Sequence, residues 1–303
     1  TTVAYLDPAR SRPNLTIISD ALVLSLKLSG RRVHGVEYQK NGETITANAD
    51  RVVVSAGAYH SPQVLTLSGI GPAAELARLG IEATHVLEGV GLNYQDHATV
   101  QMTYEGRDDF SPDWVVPRFR LMFKSDESQQ SGNFHLFMRP PTEVPGLTRM
   151  MPVSANLLQQ TTTGRVYLNS TDPTDLPQLE DRMLEHPDDI KAMTTAMEFL
   201  HELVSHESMS EFYGPLILPD EHEDWASYAR STYGTYQHGA GTCMMGPASN
   251  PMAVVDNTLR VHGLDNLFVA DASIMPRVTH GNTNVTAIMI GERVADFIKA
   301  EGG

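Results

Sequence analysis

Cysteine, positive charge and long apolar runs are all scarce in this 303-residue sequence. The single cysteine, Cys243, excludes an intramolecular disulfide and a cysteine-based zinc site, and it fits a reducing compartment such as the cytoplasm. Only 22 lysines and arginines stand against 37 aspartates and glutamates, so no basic field exists for a nucleic acid or an anionic membrane. No apolar run approaches the roughly 18 residues of a membrane span. We therefore expect a soluble, globular protein.

The first fifty residues contain short runs that are typical of strands, most of them alternating apolar and polar positions. The predicted strands are residues 14–18, 21–28, 31–38 and 44–47, and Asn41-Gly42 predicts a hairpin turn between the last two. A small antiparallel meander is the expected result.

Strands and helices then alternate, which indicates an α/β protein. Arg51–Gly57 predicts a strand buried on both faces of a parallel sheet, and Leu267–Ala270 predicts another buried strand. Ser61-Pro62 predicts the start of a helix, with Ser61 as N-cap, that stops at Gly69. Further helices are predicted over residues 72–80, 187–204 and 285–299. The second of these carries an apolar stripe of Ile190, Met193, Met197, Leu200 and Val204.

Four stretches carry residues that could do chemistry: residues 57–71, 88–97, 233–246 and 266–286. The first alone is only a strand end where a ligand could approach the backbone. Asp96-His97 could be a metal pair, although two adjacent ligands make a weak case for a metal. His238 lies among small residues, where a histidine is more often structural than catalytic, and Asp271 could simply cap a turn.

In their order of residues, these four stretches resemble sequence motifs of the glucose–methanol–choline (GMC) oxidoreductase family. Residues 57–71 fit every position of the family's second signature, small-x-x-Ser/Thr-Pro-x-aliphatic-aliphatic-x-x-Ser-Gly-aliphatic-Gly. Residues 89–97 resemble its Gly-Val-Gly-x-Asn/His-x-Gln-Asp-His segment, and His238–Thr242 matches its His-x-x-Gly-Thr string. The resemblance implies FAD-dependent oxidation of a primary alcohol to an aldehyde.

The resemblance also implies the domains. A Rossmann-like FAD-binding domain would comprise residues 1–97 and 231–303. Residues 98–230, where loops are longer, would form a substrate-binding domain built on an antiparallel sheet with helices. The acidic composition hints at cationic alcohols as substrates, but net charge describes the whole surface and not the pocket.

Individual roles follow from the same resemblance. His238 would be the general base on the substrate side of the flavin, and Asn282 would lie beside it, with His280 as a weaker candidate for that second place. The residues implied to contact the FAD are Val23, Ala56, Gly57, Gln237, Asp271, Ala272, Asn282 and Thr283. No catalytic role is carried over to His97, and no metal site is expected. Gln237 and Thr283 depart from the residues that are frequent in the family.

These residue types suit the chemistry. Hydride transfer from an alcohol requires removal of the hydroxyl proton, and an imidazole with an unperturbed pKa of about 6.5 can accept it near neutral pH. An asparagine amide can hold the developing alkoxide without adding a titrating charge.

The Gly-x-Gly-x-x-Gly turn that receives a dinucleotide pyrophosphate is absent. Because the family carries that turn near its N-terminus, we expect this chain to match only the family's C-terminal portion. A separate N-terminal polypeptide of the same flavoenzyme is the expected partner, and a homo-oligomer is an open alternative.

Two other functions compete with alcohol oxidation. A flavin-dependent hydroxynitrile lyase on the same scaffold would use the histidine for acid–base cleavage and would never reduce the flavin. A non-catalytic flavin-binding module would use His238 only for packing.

Overall fold

The computed structural model describes residues 1–106, 120–126, 131–139, 149–220 and 222–302, which form a mixed α/β structure with antiparallel sheets. The strands are β1 (Leu22–Ser29), β2 (Arg32–Lys40), β3 (Glu43–Asn48), β4 (Val52–Val54), β5 (Ile70–Gly71), β6 (His85–Val86), β7 (Leu92–Tyr94), β8 (Ala98–Gly106), β9 (Arg120–Phe123), β10 (Phe134–Met138), β11 (Met150–Leu157), β12 (Gly164–Tyr167), β13 (Gln178–Glu180), β14 (Tyr213–Leu218), β15 (Gly234–Thr235) and β16 (Leu267–Val269). The helices are α1 (Asp7–Ala9), α2 (Gly57–Leu67), α3 (Ala73–Leu79), α4 (Pro187–Ser205), α5 (Trp225–Thr232) and α6 (Asn284–Gly302). Shorter helical turns span Thr2–Leu6, Glu207–Met209 and Ala272–Ile274.

The predicted meander is confirmed as the antiparallel sheet β1-β2-β3. Asn41 and Gly42 both have positive φ, +52° and +82°, as a tight turn between twisted strands requires. The strand predicted over residues 14–18 is wrong: that segment has no regular secondary structure, and Ile17 and Ile18 are exposed. A β-rich run becomes a strand only where another strand can pair with it, and no partner is found among the described residues.

The two predicted buried strands pair in parallel, with Val52 opposite Leu267 and Val54 opposite Val269. Burial on both faces is confirmed for β16, whereas β4 is buried on one face only. Val53 is 38% exposed while Val52 and Val54 are buried. Within the described chain β4 pairs with β16 alone, so its other edge is unpaired, and the face that carries Val53 is only partly covered.

Helix α2 begins at Gly57, four residues before the predicted start at Ser61. Ser61 is not an N-cap, because its hydroxyl donates to Asp271 Oδ2 at 2.5 Å. Pro62 therefore lies inside the helix, where its missing N–H leaves the Ala58 carbonyl without its helical donor. The Thr242 hydroxyl donates to that carbonyl instead, at 2.6 Å. A tertiary contact thus makes an internal proline tolerable.

The largest sheet has the strand order β14-β8-β11-β10-β9, with β15 also pairing with β8. Helix α4 covers one face of this sheet, and the stripe predicted for it is confirmed. Its buried members are Ile190, Met193, Met197, Leu200 and Val204. Along β10, Phe134, Leu136 and Met138 enter the same core.

The described residues form two hydrophobic cores. The first core lies around β4, β16 and α2, and its residues come from two ranges, 26–90 and 240–294. The second core consists of residues from the range 98–229. The chain crosses between them just before β8 and again after α5, and the chemistry-bearing residues 96–97 and 235–238 lie at these crossings. None of the helices in the described ranges has the length and apolar character needed to cross a bilayer.

Candidate active site

Asp271 organises the carboxyl ends of the parallel strands. It follows β16, and its Oδ2 accepts hydrogen bonds from the Gly57 N–H at 3.0 Å and from Ser61. Its Oδ1 accepts from the Ser273 N–H at 2.7 Å, so the carboxylate also caps the turn that contains Ala272. Ala56 donates its N–H to the Ser61 hydroxyl at 3.0 Å. Four of the residues implied to contact FAD therefore lie together.

Gly57, which lies next to Asp271, has open space beside its α-carbon. Its φ is +82°, a conformation that favours glycine, and a Cβ added there would meet no atom within 4 Å. Val23 does not join this group, since it lies on β1 opposite Tyr38.

Asp96 is the second buried carboxylate of the site, and it is fully buried. Its Oδ1 accepts from the backbone N–H of His97 at 2.6 Å and of His238 at 2.9 Å. Its Oδ2 accepts from the Tyr94 hydroxyl at 3.1 Å and from the Thr235 hydroxyl. This carboxylate joins the segment before β8 to the loop after β15, and both of its oxygens are occupied by these donors.

A chain of hydrogen bonds determines which nitrogen of each histidine carries the proton. The Thr279 carbonyl can only accept, so His97 Nε2, at 2.9 Å, must carry a hydrogen. Neutral His97 then presents a lone pair at Nδ1, and His238 Nδ1 donates to it at 2.9 Å. His238 Nε2 is left unprotonated and accepts from Asn282 Nδ2 at 3.1 Å. The single Nε2 lone pair of His238 thus faces the Asn282 amide.

Burial keeps both imidazoles neutral. It lowers the pKa of His97 to about 3, with repulsion from His238 adding to the effect. Burial also lowers the pKa of His238, the negative charge of Asp96 raises it, and the positive charge of Arg120 lowers it. His238 is therefore an unprotonated base at neutral pH.

The remaining predicted residues flank this pair. Gln237 is exposed with φ of +65°, and the Thr283 carbonyl accepts the Ala287 N–H in the first turn of α6. His280 hydrogen-bonds Gln159 Oε1 at 2.8 Å and the Ser131 hydroxyl at 3.2 Å, away from His238. Asn282 is therefore the residue in contact with His238.

Sequence reasoning missed the part that Asp96 and His97 play here. Their adjacency suggested a metal pair, and nothing local indicated that His97 would contact a histidine 141 positions away. The signal available in the sequence was the segment 89–97, in which an acid and a histidine follow a glycine turn.

The family profiles of the GMC oxidoreductases match the chain twice, the N-terminal profile over residues 1–99 and the C-terminal profile over residues 160–291. The chain belongs to the GMC oxidoreductase family, whose members depend on FAD. The expectation that it matches only the C-terminal portion of the family is wrong, because residues 1–99 match the N-terminal profile.

Oxygen-dependent choline dehydrogenase of Staphylococcus aureus strain JH9 is 33% identical over 330 residues, covering 98% of this chain and 58% of the relative. Among solved structures, pyridoxine 4-oxidase from Mesorbium loti superposes with a TM-score of 0.89 at 26% identity, covering 97% of this chain and 60% of that one. A formate oxidase gives a TM-score of 0.85 at 25% identity, with coverages of 96% and 62%. The chain thus spans about 60% of the length of these proteins.

The residues present fit a flavin nucleotide. Next to the strand ends, a cavity of about 540 Å³ is lined by Ser55, Ala270, Thr1, Tyr5 and the part of α6 between Asn284 and Ala295, which includes the carboxylate of Glu292. That volume lies in the range of cofactor pockets. The open cradle at Gly57 admits a group close to the backbone, and the α6 N-terminus favours negative charge.

Proposed function

We propose that the protein oxidises a primary alcohol to an aldehyde with FAD as the cofactor and His238 as the general base. The observation that carries this proposal is the 3.1 Å contact between Asn282 Nδ2 and a His238 Nε2 that the hydrogen-bond chain leaves unprotonated. Bound FAD would supply the acceptor for the hydride that leaves the carbinol carbon.

His238 would take the hydroxyl proton of the alcohol at Nε2, where the hydroxyl would replace the Asn282 N–H at the single lone pair. Positioned base catalysis of this kind contributes about 10²- to 10⁴-fold to a rate. The charge that this proton brings would be stabilised by Asp96, which raises the pKa of His238. The Asn282 amide, released from Nε2, would donate to the developing alkoxide. The amide would hold the substrate oxygen next to the base.

The eight residues named from the resemblance would hold the cofactor. They are Val23, Ala56, Gly57, Gln237, Asp271, Ala272, Asn282 and Thr283.

We further propose that residues 1–97 and 231–303 form the FAD-binding domain and that residues 98–230 form the substrate-binding domain. The two separate hydrophobic cores support this division.

We also propose that a further polypeptide segment supplies the missing glycine-rich turn. The absence of that motif and the exposed outer face of β4, at Val53, support this part of the proposal. The native mass of the FAD-loaded protein tests it, since a stoichiometric flavin on a lone 33 kDa species would contradict it.

The experiment is anaerobic mixing of the FAD-loaded protein with primary alcohols while flavin absorbance is recorded. We expect bleaching with the unmodified protein, a loss of about 10²- to 10⁴-fold in bleaching rate for His238→Ala, and a loss of about 10²-fold for Asn282→Ala. His34→Ala, at an exposed histidine on β2, is the control and should bleach normally. Unchanged bleaching in His238→Ala would refute His238 as the base, absence of bleaching by every alcohol would support the non-catalytic module, and cyanohydrin cleavage without bleaching would support the lyase.

A further inference from the structure

The face of the large sheet opposite α4 forms a wall beside His238. On β10, Phe134, Leu136 and Met138 enter the core, so His135 and Phe137 lie on the other face. Both contact Tyr236, with ring centroids 6.5 and 5.7 Å apart. The Tyr236 ring in turn lies 4.4 Å from the His238 ring.

Arg120 stands on this same wall. It is directly opposite Phe137 in the antiparallel pair β9-β10, which places the two side chains on one face. The guanidinium carbon lies 4.8 Å from the Phe137 ring centroid, and Nη2 donates to the Tyr236 hydroxyl at 3.2 Å. A fixed positive charge therefore lies one aromatic ring away from the base.

The contacts described for this guanidinium are to neutral aromatic groups, which orient it without cancelling its charge. Arg120 is exposed, so its remaining N–H groups are accessible to a ligand. His135 Nδ1 is a buried polar atom on the same wall without a described hydrogen-bond partner. Burial, the charge of Arg120 and repulsion from His238 lower the pKa of His135 to about 4, so it adds no charge at neutral pH.

We propose that Arg120 selects alcohols that carry a carboxylate on the side away from the carbinol, and that it discriminates against cationic alcohols. This inference rests on the proposed function, because it concerns the substrate of the same site. A guanidinium can bind a carboxylate through two parallel hydrogen bonds, and the rings of Phe137 and Tyr236 provide an apolar wall for the body of the substrate. The local charge is thus opposite to the acidic balance of the whole chain.

The experiment compares three para-substituted benzyl alcohols, with a carboxylate, a methyl or a trimethylammonium group, on the FAD-loaded protein. We expect kcat/KM to fall in that order. Arg120→Gln should lower the carboxylate-to-methyl ratio about 10- to 100-fold, as loss of a charge-assisted hydrogen bond implies, and Arg120→Lys should retain part of the preference. Arg31→Gln, a mostly exposed arginine paired with Asp265, is the matched control.

Binding of 4-methylbenzoate and of its trimethylammonium counterpart gives a readout that needs no turnover. If the neutral alcohol fails to bleach the flavin, the proposed function fails, while tighter binding of the carboxylate than of the cation still supports the inference. Equal ratios in the unmodified protein and in Arg120→Gln, or a preference for the cation, would overturn it.

The pH profile supplies a second readout. His238 faces Asp96 and His97 from the segment before β8, His135 from β10 and Arg120 from β9. Because the Arg120 charge lowers the pKa of His238, Arg120→Gln should raise it. The acidic limb of kcat/KM for the methyl substrate should then move to higher pH. An unmoved limb would contradict a charge beside the base.

Discussion

Asp96 is the buried group on which the geometry of the site depends most, and its replacement by asparagine tests that dependence. In Asp96→Asn one acceptor oxygen remains for the backbone N–H groups of His97 and His238. The new NH₂ group would face the hydroxyls of Tyr94 and Thr235, which can rotate and accept instead of donating. The fold should therefore survive the exchange.

The cost follows from the charge that is lost. Hydrogen bonds to an ionised group contribute about 1.5–3 kcal/mol each and neutral ones about 0.5–1.5 kcal/mol, so weakening the two backbone bonds costs about 2 kcal/mol in total. Asp96→Leu removes every acceptor and leaves two backbone N–H groups buried without partners, so it should cost about 4 kcal/mol or more.

Urea unfolding of the FAD-loaded protein measures both losses. Asp296→Asn is the control, since it removes an exposed carboxylate 3.2 Å from Arg293 and should change the free energy of unfolding by less than about 0.5 kcal/mol. Because Asp96 raises the pKa of His238, Asp96→Asn should also move the acidic limb of kcat/KM to lower pH, opposite to Arg120→Gln. Equal stability losses for Asn and Leu, or a shift to higher pH, would refute the reasoning.

Two further predictions concern the buried histidines. In His97→Gln the new amide can still donate to the Thr279 carbonyl and accept from His238 Nδ1, so we expect a flavin bleaching rate within about 10-fold of normal. His97→Leu removes the acceptor and should lower the bleaching rate about 10²-fold. Equal bleaching rates for the two variants would contradict the hydrogen-bond chain. Because the pKa values of His97 and His135 are lowered to about 3 and about 4, the unfolded chain binds more protons than the native one below pH 6.5, and stability should fall as the pH falls from there. Urea unfolding between pH 7 and 5 should show this slope reduced in His135→Phe by up to about 1.4 kcal/mol per pH unit, and an unchanged slope would contradict a neutral, buried His135.

Patterns of short range predicted most of the individual elements. The apolar stripe of α4, the Asn41-Gly42 turn and the apolar run of β16 each depend on neighbouring residues, and each was found where the sequence places it. The start of α2 was predicted wrongly because Ser61 has the residue type of an N-cap but bonds Asp271, 210 positions away. Residues 14–18 failed for a related reason, since strand formation depends on a partner that local composition cannot reveal.

The sequence by itself determined the family, the strings that carry His238 and Asn282, and the lack of a basic surface, because these depend only on the identity and order of residues. Tertiary structure alone decided that His97 directs the proton on His238, that Asp96 joins two distant segments, and that Arg120 brings a positive charge to an otherwise acidic protein. The physical reason is that pKa shifts, tautomers and charge near a site depend on distances between atoms, and the fold brings these residues together from positions more than one hundred apart.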